Sequence, residues 1–264
     1  MYKEEGEEDE INICSELVNS CEAFLKESSV DEGHGIDHIK AVLYHVDMAL
    51  VEIPESELDE ICRLAVKVAA ILHDVDDHKF FSTSVDKLNE KMLLSPFKDR
   101  IERFIKENKD GQSQINSFDS FETIVRQMID IVSCSSNGNS NKHNYPEWML
   151  YPRIADRLEA IGDIGILRAL QYGEYRNRVM YDDNTERVYT LEELNKVASP
   201  ERFERYLAGN RSSTTIGHFY DKILHIGKPE GFGVKNNYFN KAAEERHKQV
   251  EEWVLQFWQN IALF

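Results

Sequence analysis

Residues 69–79 of this 264-residue chain run from Ala69-Ala70-Ile71-Leu72 straight into His73-Asp74-Val75-Asp76-Asp77-His78-Lys79. An apolar helical segment is buried, and an imidazole beside a carboxylate at its end is costly unless a cation compensates them. That juxtaposition points to a metal site. His73 and Asp74 are neighbours, about 100° apart on a helix, so both reach one ion only at the helix end or between helices. Other segments must therefore complete the shell.

Two places supply candidates. His34 and His38 lie four residues apart, flanked by Gly33 and Gly35, at the start of an amphipathic stretch whose apolar positions are Ile39, Val42, Leu43 and Val46. Asp156 stands alone in the helical pattern Arg153-Ile154-Ala155-Asp156-Arg157-Leu158. His38, His73, Asp74 and Asp156 make a mixed nitrogen and oxygen set without thiolate. Such a set favours one octahedral divalent transition ion, Mn²⁺, Fe²⁺, Ni²⁺ or Co²⁺, over the closed sites of Zn²⁺ or the all-oxygen shell of Mg²⁺.

The order H…HD…D and its context resemble the HD-domain metal-dependent phosphohydrolases, in particular their small stand-alone branch. The resemblance rests on His34 to His38, on residues 69–80 (AAILHDVDDHKF), on residues 155–168 (ADRLEAIGDIGILR) and on a later stretch, Gly217-His218-Phe219-Tyr220-Asp221-Lys222-Ile223-Leu224. It spans roughly residues 30 to 255. A polar insert from Cys134 to Asn144 departs from the family pattern, as does Ile154, where many relatives carry another Asp.

The resemblance implies a helical bundle with the metal held between helices by His38, His73, Asp74 and Asp156. It also implies that Asp77 orients the attacking water, and that His34 and Lys79 bind the phosphate. The implied substrates are small nucleotides, including (deoxy)nucleoside triphosphates cleaved to monophosphate and pyrophosphate. A monophosphate 5'-nucleotidase and a non-catalytic metal-binding regulatory module are the alternatives; the intact ligand set speaks against the second.

Composition agrees with a globular enzyme. The chain is 41% hydrophobic and 30% charged, with 31 Lys and Arg against 48 Asp and Glu and a net charge of -17. With no basic block to displace counterions, polymeric nucleic acid is excluded as a partner, whereas one nucleotide can be held by a metal and a few local cations. No apolar run approaches a membrane span, and the first residues are acidic where a signal peptide is basic. A cytoplasmic enzyme is expected. Cys14, Cys21, Cys62 and Cys134 form no metal-binding or redox spacing and read as core thiols.

Helical periodicity dominates, predicting an all-α chain with helices near 11–28, 36–51, 54–73, 83–94, 97–108, 118–133, 148–160, 164–180, 200–226 with a candidate break near Gly209, and 238–260. Residues 1–10 read as a disordered acidic tail and 11–264 as one domain. Trp253, Phe257 and Trp258 read as core.

Overall fold

The computed structural model describes residues 2–28, 35–76, 88–109, 113–141, 144–228 and 233–262, with the backbone alone for 2–9 and 88. Every element among them is helical, as periodicity predicts. No helix among the described residues is long and apolar enough to cross a membrane.

The chain folds into two compact units, where the sequence reads as one domain over 11–264. Unit 1 comprises residues 1–132 and 146–155, and unit 2 comprises 133–145 and 156–264. Because the chain changes unit three times, no linker separates two blocks of sequence, and no composition shift marks the division.

Unit 1 is built on α3 (Glu60–Leu72), packed by α1 (Tyr2–Ser28), α2 (Ile36–Val51), α5 (Lys98–Asn108) and α6 (Phe118–Asp130). Ten of its residues are buried, among them Leu64, Ala65, Val68 and Ala69, because a helix apolar on nearly every side must be enclosed. Asp59 starts it, its carboxylate accepting from the Cys62 amide at 2.7 Å. The Arg63 guanidinium donates to the carbonyls of Leu50 and Ile53, fixing the end of α2 against α3.

The second cation of α3, Lys67, meets Glu10 at 2.6 Å and Asp47 at 3.0 Å. Helix α1 runs from Tyr2, through the segment that reads as an acidic tail, and Glu10 is buried in that ion pair rather than solvated. The four cysteines are all buried and free. Burial pushes the Cys14 and Cys21 thiols up to about 12.

After α3 the chain turns back. The Asp76 carboxylate accepts from the Glu90 amide at 2.8 Å in the first turn of α4 (Leu88–Leu94), and Asn89 Nδ2 donates to the Val75 carbonyl at 2.9 Å. Asp76 thereby caps a helix close to the end of α3.

The chain enters unit 2 with α7 (Cys134–Asn137) and later passes through α8 (Tyr151–Glu159), whose residues divide between the units at Ala155 and Asp156. Unit 2 pairs α9 (Gly162–Tyr175) with α14 (Asn237–Ile261). Gly162, at φ 69, supplies the left-handed turn into α9. Helices α10 (Leu191–Val197) and α11 (Pro200–Leu207) lead to α12 (Thr215–His218), which continues as a π-helical turn over Phe219–Ile223 into α13 (Leu224–Ile226). Trp258 is fully buried, its indole N–H donating to the Tyr220 hydroxyl at 2.6 Å, and Phe219, Trp253 and Phe257 stack in series.

Candidate metal centre

His38 occupies the first turn of α2, opened by Gly35 in an extended conformation. Its side chain is buried with Ile39, Val42 and Val46, the apolar face that carries the helix onto α3. His73 is the C-cap of α3, and Asp74 follows it, so the imidazole and carboxylate leave the helix where its last carbonyls lack intrahelical partners.

Three donor atoms converge there. His73 Nε2 lies 3.2 Å from His38 Nε2 and 3.4 Å from Asp74 Oδ2, and His38 Nε2 lies 3.5 Å from the same oxygen. The two imidazoles are nearly perpendicular, at 70°, and both side chains are almost wholly enclosed.

His73 Nδ1 sits 2.8 Å from the Ala70 carbonyl oxygen. A carbonyl only accepts, so the neutral ring carries its proton on Nδ1 and presents an Nε2 lone pair to the cluster. Fixing one ring nitrogen by a backbone carbonyl is the usual support of a metal-binding histidine.

The donor set fits a cation. Ligands about 2.1 Å from one ion stand about 3.0 Å apart at octahedral edges and about 3.4 Å apart at tetrahedral ones, close to the 3.2–3.5 Å that separates these three atoms. His38, His73 and Asp74 are thus able to hold one metal ion.

The structure brings together three of the four sequence-assigned ligands. Asp156 belongs to unit 2 and is described with it: a half-buried residue of α8. Asp77, His34 and Lys79 lie outside the described residues. Arg157, next to Asp156, is buried and donates to the Gly138 carbonyl. Gly138 lies in the polar segment that departs from the family pattern, so that segment supplies the acceptor for a buried guanidinium. Ile154 is fully buried.

This fold has known counterparts. A protein from Lactobacillus plantarum matches 98% of this chain and 99% of its own at a TM-score of 0.63 and 21% identity. An HD-superfamily hydrolase from Bacillus thuringiensis matches 96% of this chain and 98% of its own, with TM-score 0.58 and 19% identity. Bacillus subtilis YpgQ in complex with ADP matches 96% of both chains, with TM-score 0.57 and 17% identity. No protein-family model matches the chain.

The chain shares the helical fold of these proteins, an HD-superfamily hydrolase among them, and carries an H…HD cluster at the meeting of α2 and α3. The chain belongs to one family with the protein L803 of Acanthamoeba polyphaga mimivirus, to which it is 38% identical over 225 residues, 85% of this chain and 88% of that one.

Proposed function

We propose that this protein is a metal-dependent phosphohydrolase that hydrolyses phosphate or pyrophosphate bonds of small nucleotides. The reading is carried by the convergence of His38, His73 and Asp74 with the His73 tautomer set by Ala70. The hydrolase of the same fold from B. thuringiensis and the ADP held by YpgQ lend it weight. Among nucleotide substrates, (deoxy)nucleoside triphosphates yielding monophosphate and pyrophosphate are the preferred reading, after the family resemblance.

In this reading Asp156 is the fourth protein ligand, placed by its motif. When bound, the ion supplies Lewis acidity toward water and positive charge against the phosphoryl oxygens. Manganese, iron, nickel and cobalt suit two imidazoles and two carboxylates. Asp77 orients the attacking water and takes its proton as the oxygen bonds to phosphorus and the bridging P–O bond breaks. His34 and Lys79 bind the phosphate oxygens, the lysine as a point charge.

Metal content is the first test. The purified protein carries about one transition-metal ion per chain, and His73→Ala loses it while keeping its helical circular dichroism. Full metal occupancy in that variant contradicts the assignment.

A further inference from the structure

Basic side chains are outnumbered in a chain with 31 Lys and Arg against 48 Asp and Glu, yet several gather at one place in unit 2. His218 and Lys222 lie one turn apart on the helix formed by α12 and the π turn. The charges of Lys222, Arg178 and Arg211 all act on the His218 ring. Burial first, and then these three cations, hold that imidazole well below the ordinary histidine range, so it is neutral at pH 7.

The neighbouring carboxylate does not neutralise the cluster. Asp221 accepts from Arg202 Nε at 2.7 Å, from the Ser212 amide at 2.7 Å and from the Ser212 hydroxyl at 3.0 Å. Arg178, Arg211 and Lys222 have no ion pair among the described residues.

The cations are nevertheless held in place. The Arg178 guanidinium lies over the Tyr172 ring at 5.8 Å and that of Arg211 over Tyr206 at 5.2 Å, while the Tyr206 ring stands 6.0 Å from His218. Backbone bonds tie the segments together: the Arg178 amide donates to the Gly173 carbonyl, and the amides of Thr215 and Ile216 donate to the carbonyls of Val179 and Met180. Gly173 permits the approach, since a Cβ there would stand 2.5 Å from Thr215 Oγ1. Like charges fixed side by side repel one another and are tolerated best where an anion sits among them.

We propose that Arg178, Arg211, Lys222 and His218 form an anion-binding site for a phosphate group, free or carried by a small organic molecule. The guanidinium forks suit phosphate oxygens, Lys222 adds a point charge, and neutral His218 donates one N–H. The proposal concerns unit 2 alone and stands whether or not the metal centre turns over nucleotides.

The test is calorimetric titration of the full chain, stripped of metal and kept in EDTA, with inorganic phosphate, inorganic pyrophosphate and dATP. Saturable binding is expected, with a shift of the His218 ring resonances in the imidazole ¹H–¹⁵N spectrum. Lys222→Gln and Arg211→Gln each weaken it at least tenfold, whereas His73→Ala binds as the wild type does. Arg211 is exposed, so that variant retains the fold if Lys222→Gln does not. Equal affinity for pyrophosphate and dATP identifies the phosphate alone as the ligand; tighter dATP binding identifies an organic phosphate. Absence of saturable binding, or affinity unchanged in both variants, overturns the site.

Discussion

At the level of single residues, the cluster turns on one hydrogen bond. Because the Ala70 carbonyl accepts from the His73 Nδ1–H, His73 Nε2 presents a lone pair to His38 and Asp74, a crowd of electron-pair donors that a cation would resolve. Asp77 follows Asp76, whose carboxylate is already used to cap α4, so the two acids have separate tasks in the proposed mechanism. Asp77→Asn should then leave the metal content intact while lowering turnover by about 10²-fold, the scale of a general base. Steady-state kinetics alongside metal analysis checks this, and unchanged turnover would make Asp77 a surface charge. The cluster of His38, His73 and Asp74 was legible in the sequence because His and Asp at a buried helix end have few inexpensive explanations. The cationic group of unit 2 was not, since Arg178, Arg211 and Lys222 are separated in sequence and meet only through backbone pairing of 179–180 with 215–216.

Among elements, periodicity located most helices and misjudged their ends. Helix α2 matches the expected span of 36–51, and α5 and α14 agree to within a residue at each end. The span 54–73 shortens to Glu60–Leu72 because Asp59, not Pro54, supplies the cap. The helix expected over 200–226 is broken around Gly209, the candidate break, where residues 208–214 leave the helix and Ser212 binds Asp221. Helix α10 was missed, although Thr190 and Glu193 form a capping box, because seven residues are too few to display an amphipathic period. The π turn at Phe219–Ile223 carries no sequence signal, and Asp221 on it anchors Arg202, which also meets Glu186 at 2.9 Å. Asp221→Asn leaves a largely buried guanidinium without its main counter-charge, so chemical denaturation should show a loss of about 3–5 kcal/mol. A loss below about 1 kcal/mol would mean that Glu186 and solvent suffice for Arg202.

For the whole molecule, two imidazoles of unit 2 link stability to pH. Burial is the main cause that lowers His225 to about 4, helped by Lys228 and His247 and opposed by the Tyr220 carbonyl and Asp221. His218 is lowered in the same sense. A histidine that holds its proton less readily folded than unfolded makes the unfolded state the greater proton binder, so stability rises with pH across the window from about 4 to about 6.5. Thermal melts should therefore fall steadily from pH 6.5 toward 4, and His225→Gln should flatten part of that slope. An unchanged slope in that variant would assign the acid sensitivity to other groups.

The net charge of -17 bears on the central claim from the opposite side, since it turns away polyanions while one small phosphate ester can be compensated locally. The direct measurement is product identification for a panel of nucleoside mono-, di- and triphosphates incubated with the protein and Mn²⁺. The account predicts hydrolysis of nucleotides that stops with EDTA and is absent in His73→Ala, with triphosphates yielding monophosphate and pyrophosphate. Metal bound at one ion per chain with no turnover of any nucleotide would contradict it.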